Sequence, residues 1–326
     1  MARKPTRAQL IQLVFTVLVV AVIAVYLAGI NWDRLDGLRL SPLPFVVSIL
    51  IALVFRYWGA GIWLFLLDRL GARGIRSAWV ELCAVYAKAW LGRYLLGAGT
   101  WILGKVYFAS KFGIGKSKLA VSGVLEGALQ LIATLIVGLG LLVIDPRLGA
   151  LGGAASVVSI VALVVCVIAL IPPVFRFGIG LLYRIVRRKR IDPADLPEWR
   201  AIIFGGLLYI VGTLITGASY FFIALAVFQD LQWSDFLYIV GASSVAAAIS
   251  LLAVFAPGGI GVREGAQVFF FSVLMPVELA VIVSVLMRLW SLAVDVLFFL
   301  VAQSVRILKD RRGGNQSHDD ARGTTG

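Results

Sequence analysis

Ten ionisable side chains interrupt otherwise apolar stretches of this sequence: Arg56, Glu81, Lys88, Arg93, Lys105, Glu126, Arg263, Glu264, Arg288 and Asp295. In hydrocarbon each costs roughly 2.5–3.5 kcal/mol at a helix centre, so several must face one another or a hydrated cavity. Six are basic and four acidic, and surplus positive charge suits an anionic group. Arg263 is the sharpest candidate. It follows the run Pro257-Gly258-Gly259-Ile260-Gly261 by two residues, in the first turn of a short helix expected over 262–274. Glycines let backbone approach a ligand closely, and N–H groups at a helix start point at an anion. A guanidinium there adds a two-pronged grip on phosphate. Glu264 beside it modulates that charge or carries a proton; the structural alternative has Glu264 complementing the helix dipole while Arg263 pairs with it or with Asp295.

The other charges read more quietly. Arg288 and Asp295 stand seven apart, on one helix face with Ser291 between them, which predicts an ion pair. Glu126 lies deep in an apolar run and needs a cationic partner, with Arg93 and Lys105 nearest in sequence. Lys105 has the reach to snorkel to an interface instead. Glu81 and Lys88 share a face and read as structural.

These side chains must be held by membrane-spanning helices. Of 326 residues, 61 % are hydrophobic and only 14 % charged, with a mean hydropathy of +0.98. Soluble domains run at about 45–50 % apolar and about 25 % charged. Apolar blocks at about 9–30, 43–67, 119–143, 151–172, 201–228 and 279–303 are each long enough to span hydrocarbon roughly 30 Å thick. The first block exceeds the usual core of a signal peptide and reads as a retained helix. The single histidine, His318, lies in a polar tail, and Cys83 and Cys166 have no CxxC spacing. Histidine-based catalysis and a metal centre are therefore excluded, and no cofactor is implied.

Two regions, 77–116 and 236–276, are apolar but cut by glycines and charges. After Pro257-Gly258-Gly259-Ile260-Gly261 too few residues remain before Pro276 for a crossing, so each region is expected to be a re-entrant hairpin facing something polar. A shift of 160 residues lays the first region on the second, placing Gly97-Ala98-Gly99 on Pro257-Gly258-Gly259. Units of about 43–143 and 201–303 would then have opposite orientations, an inverted repeat. Short-loop Lys and Arg number 21 on one side against 3 on the other, which predicts both termini in the cytoplasm. That asymmetry accounts for most of the net charge of +13 without nucleic acid. The stretch Arg176–Arg190 alternates bulky apolar residues with arginines and reads as an interfacial helix on an anionic leaflet. The fold class expected is therefore an all-α polytopic membrane bundle of about six spans and two hairpins over 1–308, with a disordered polar tail over 309–326.

The octet Pro257-Gly258-Gly259-Ile260-Gly261-Val262-Arg263-Glu264, with Arg288 some two dozen residues later, resembles the signature of the lysylphosphatidylglycerol synthetase transmembrane region family. That is the flippase-like domain of the bacterial multiple peptide resistance factors. The resemblance covers about 10–305 and implies movement of phospholipids or polyprenyl-linked sugars across the membrane. It implies substrate contacts at Gly258, Gly259, Gly261, Arg263, Glu264 and Arg288, to which the charge pattern adds Asp295, Glu126 and Arg93. The family's first motif reads Pro-Gly-Gly with a Glu-Arg pair downstream; here Gly97-Ala98-Gly99 and Glu126-Gly127 depart from it, so a symmetric site is not implied. A flippase-like translocator of an anionic amphiphile in the plasma membrane is the leading expectation, with the headgroup phosphate in a hydrated cavity between the hairpins. A membrane-embedded transferase and a non-transporting assembly subunit are the rivals. Candidate protein partners are a second copy of the chain or a lipid-processing enzyme.

Overall fold

Long apolar runs become long helices here, and proline or glycine marks many of their ends. The computed structural model describes residues 40–92, 100–187, 196–253, 259 and 261–323. These form ten α-helices with no strand among the described residues: α1 (Pro42–Arg69), α2 (Trp79–Leu91), α3 (Thr100–Ala109), α4 (Lys116–Ile144), α5 (Gly153–Leu170), α6 (Pro172–Arg187), α7 (Trp199–Val227), α8 (Phe236–Leu252), α9 (Val262–Phe271) and α10 (Val277–Gly323). Pro42 opens α1, where its missing N–H costs nothing, and α4 stops at Asp145 before Pro146. Pro172 and Pro173 likewise part α5 from α6.

Six described stretches are long and apolar enough to cross a membrane: Pro42–Arg69, Lys116–Ile144, Gly153–Leu170, Trp199–Val227, Trp233–Leu252 and Val277–Lys309. The chain is a polytopic helical membrane bundle. The expected span 9–30 lies outside the described residues. Trp233–Leu252 falls at the start of the region expected to be a re-entrant hairpin, and no charge interrupts the 17 residues of α8, so this arm grows to span length before the Pro257 region. The helix α10 also runs on through the polar residues expected to form an unstructured tail. Extending a helix already nucleated by a long apolar segment needs no new nucleus.

Both hairpins are antiparallel and enter from opposite ends. In the first, Thr100 Oγ1 donates to Gly92 O at 3.0 Å and Lys88 Nζ lies 4.3 Å from the Phe108 ring centroid, so α3 retraces α2. Its mouth lies where Lys118 Nζ donates to Gly71 O at 2.9 Å and Lys309 pairs with Glu81 at 3.0 Å. In the second, Tyr238 Oη donates to Phe270 O at 2.9 Å, so α9 returns toward the start of α8. That mouth is at the other end of the bundle, where Ser41 N–H meets Ala226 O at 2.8 Å. The helix α10 joins the two. Val283, Met287 and Val294 pack in one core with Phe271, Tyr238 and Leu142, while Phe298 and Ala302 pack in another with Trp63, Leu82 and Tyr86.

Helix α4 is pressed closely to α8 at Gly138. A Cβ there would come 2.9 Å from Val245 Cγ2 and 3.0 Å from the Val245 backbone nitrogen. Backbone cannot swing aside as a flexible side chain can, so Gly138→Ala should destabilise by about 1–3 kcal/mol. A lower thermal midpoint in detergent checks this; Gly140→Ala, where a Cβ meets nothing within 4 Å, is the matched control.

Candidate functional site

Burial forces the intramembrane charges into partnerships, and the structure specifies them. Lys105 on α3 and Glu126 on α4 form a fully buried ion pair. Tyr86 Oη donates to Glu126 Oε1 at 3.1 Å, and the Lys105 ammonium lies 4.0, 4.6 and 5.0 Å from the ring centroids of Tyr86, Trp101 and Trp63. Lys105 therefore does not snorkel: a carboxylate and three aromatic faces hold its ammonium inside the bundle, supplying what water would otherwise supply.

The Arg288–Asp295 pair expected on α10 is not among the described ion pairs. Asp295 pairs instead with Arg56 on α1, whose guanidinium also reaches Ser291 Oγ at 3.5 Å. Arg288 turns to Glu264 on α9, Nε to Oε1 at 3.7 Å. Residues seven apart share a helix face, but at successive levels a face meets different neighbours: α9 beside Arg288, and α1 beside Asp295. Glu81 and Lys88 also part, Glu81 to Lys309 and Lys88 to the Phe108 ring.

Around α9 the broken backbone and the charges coincide. Gly259 and Gly261 have φ of +69° and +83°, values that side chains other than glycine adopt at a cost. Gly261 N–H donates to Glu264 Oε2 at 2.6 Å, closing the first turn of α9. The other carboxylate oxygen, Oε1, receives no hydrogen bond among the described residues and faces Arg288. Arg263 donates to the Tyr220 hydroxyl on α7, its guanidinium carbon 4.8 Å from that ring's centroid. The structure thus brings together Gly259, Gly261, Arg263, Glu264 and Arg288, a group with two cations and one carboxylate. It leaves Glu126 with Lys105 and Asp295 with Arg56. Arg93, Gly258 and the Gly97-Ala98-Gly99 run lie outside the described residues.

Sequence reasoning missed the aromatic partners Tyr86 and Tyr220. A phenol inside an apolar helix needs a hydrogen-bond partner, and that need was the available signal. A cavity of about 650 Å³ lies on the wall formed by α1 and α7, lined by apolar residues including Leu50, Val54, Tyr57, Trp58 and Leu208.

In the two halves the hairpin-to-span pairs have reversed polarity. Lys105 on a hairpin arm meets Glu126 on the next span, whereas Glu264 on a hairpin arm meets Arg288 on the next span. The sequence profile of the family described as Lysylphosphatidylglycerol synthase TM region matches residues 9–298. The chain belongs to that family. No curated protein matches it. Within this TM-region protein, the profile covers both hairpins and every ion pair described above except the contact to Lys309.

At the mouth of the second hairpin, Arg147 binds Asp145 at 2.9 Å, donates to Ser234 O at 2.9 Å and pairs with Asp235. Partial burial pushes Asp145 up, but hydrogen bonds from the Arg147 side chain and N–H outweigh it and hold the carboxyl below its ordinary 3.8. A carboxyl with a lowered folded-state pKa contributes stability above its unfolded value, lost as pH falls through the folded value. The clip should be intact at pH 5 and above and weaken only below about 4. Arg147→Gln should abolish this acid-dependent step and raise amide exchange over 233–238, as measured by hydrogen–deuterium exchange.

Proposed function

We propose that this TM-region protein moves an anionic lipid between leaflets of the plasma membrane, with the headgroup phosphate held by Arg263 and Arg288 where the backbone breaks before α9. The observation that carries this reading is the meeting of a broken backbone with two cations: Gly259 and Gly261 have φ of +69° and +83° ahead of α9, Arg263 lies in its first turn, and Arg288 reaches Glu264 there, Nε to Oε1 at 3.7 Å. A guanidinium offers a phosphate two charge-assisted hydrogen bonds. Glu264 would then retain its bond to Gly261 N–H and keep α9 started. The protein acts as a carrier rather than an enzyme, with both termini in the cytoplasm.

The test is reconstitution into liposomes containing a fluorescent phosphatidylglycerol, with the outer leaflet bleached by a membrane-impermeant reductant. Wild-type protein should expose inner-leaflet probe to bleaching. Arg263→Ala should slow that process roughly tenfold to a hundredfold, the worth of a charged hydrogen bond in a dry site, while loss of its bond to Tyr220 lowers the thermal midpoint only modestly. Equal rates in both proteins sink the phosphate grip. No transport by wild type with any anionic probe favours the assembly-subunit reading, which co-purification of a stoichiometric partner would then support.

A further inference from the structure

The helix α6 belongs neither to the spans nor to the site. It follows α5 directly, and its residues sort into three stripes. Phe175 and Ile179, four apart, are buried among Leu66, Leu125, Leu129 and Ile202 of α1, α4 and α7. Val174, Phe177 and Leu181 form a second stripe and are 42 %, 73 % and 45 % exposed. Arg176 and Arg184 are exposed on the third side, between the other two. No acidic residue occurs from Pro172 to Arg190, and the sequence leaves the helix through Arg187-Arg188-Lys189-Arg190.

A helix in water would not expose Phe177, and a helix in hydrocarbon would not expose Arg176 and Arg184. Three environments meeting along one axis (protein, hydrocarbon and a polar anionic layer) occur at the membrane interface. The connections agree with that depth. The helix sits between the end of α5 and the start of α7, at the end of the bundle that also carries Arg69, Lys118 and Lys309.

We propose that α6 is a headgroup-binding shelf: it lies flat in the interface at the basic end of the bundle and takes phosphates of anionic lipids on Arg176 and Arg184, with Phe177 and Leu181 among the acyl chains. The occupant is the anionic leaflet itself, selected by charge complementarity with a helix that carries no carboxylate. Because Phe175 and Ile179 seat α6 on α1, α4 and α7, the shelf ties lipid composition to the helices carrying Arg56, Glu126 and Tyr220. Nothing in this depends on whether the protein moves lipid.

The test uses the full chain in nanodiscs of phosphatidylcholine alone, or phosphatidylcholine mixed with phosphatidylglycerol, read by hydrogen–deuterium exchange of peptides covering 172–187. Each basic residue at an anionic surface contributes a factor of about five, so two arginines should slow exchange by up to roughly 30-fold in the anionic discs at low salt. High salt should erase the gain. Arg176→Gln with Arg184→Gln should exchange alike in both discs, while peptides from α4 and α10 stay as protected as in wild type. Phe177→Asp should speed exchange in both compositions. Equal protection of wild-type α6 in the two discs, or an anionic gain that survives the double arginine substitution, overturns the shelf. Unchanged exchange in Phe177→Asp overturns its placement against acyl chains.

Discussion

Lys105→Met should cost about 3 kcal/mol or more of stability, enough to shift the folded-to-unfolded ratio by roughly two orders of magnitude. The substitution leaves the Glu126 carboxylate buried with only the Tyr86 hydroxyl as a donor among the interactions described. A carboxylate so placed must either stay charged in a dry site or take up a proton, and both are costly. Glu126→Gln should be milder, because its amide can still accept from Tyr86 and the Lys105 ammonium keeps its three aromatic faces. The double variant Lys105→Met with Glu126→Gln should recover most of the loss, since replacing both members of a buried pair removes the stranded charge. Thermal unfolding in detergent of the four proteins forms a mutant cycle. A double variant no more stable than Lys105→Met alone would falsify the pairing as the source of the effect.

That cycle also bears on how much could be read before the structure. Run length sufficed for the spans, because about 20 residues of apolar helix have few places to go other than across a membrane. The cost of charges in hydrocarbon likewise flagged Arg56, Lys105, Glu126, Arg263, Glu264, Arg288 and Asp295 as residues needing partners. It did not say which. Sequence spacing reports neighbours on one helix, whereas each of the three intramembrane pairs joins two helices. Arg288 and Asp295 illustrate the gap: one face, seven residues, two different partners. Lys105 is the counterpart for depth, since its long side chain could have reached an interface, and the Glu126 carboxylate with the rings of Trp63, Tyr86 and Trp101 keeps it inside. The length of α8 was not legible for a related reason. The glycine run marks where a helix stops but not how far the preceding arm has travelled.

Gly259→Ala should be the most damaging single-methyl change in the second hairpin. Two costs fall on it together. Its φ of +69° places an alanine in the left-handed region, about 1–2 kcal/mol above its ordinary conformations. Its new Cβ would also run into Ser250 Oγ, with Ser250 Cβ at 2.8 Å and the Ser250 carbonyl oxygen at 3.2 Å. The serine hydroxyl can rotate away, but its Cβ and carbonyl belong to the last turns of α8 and cannot yield without moving that helix. Crowding of this kind costs about 1–3 kcal/mol more. The two terms can be separated. Gly259→Ala with Ser250→Gly removes the side-chain collision and keeps the left-handed strain and the carbonyl contact, so it should recover most of the steric part and none of the strain. Pairing the stability measurement with the liposome assay extends the test to the site. Gly259 stands two residues before Gly261, whose N–H holds Glu264 Oε2 at 2.6 Å. A displaced tip should therefore loosen the start of α9 and misplace Arg263. The double variant should then remain slower than wild type in moving lipid in proportion to the strain it keeps, whereas full recovery of rate with only partial recovery of stability would separate the tip geometry from the phosphate grip.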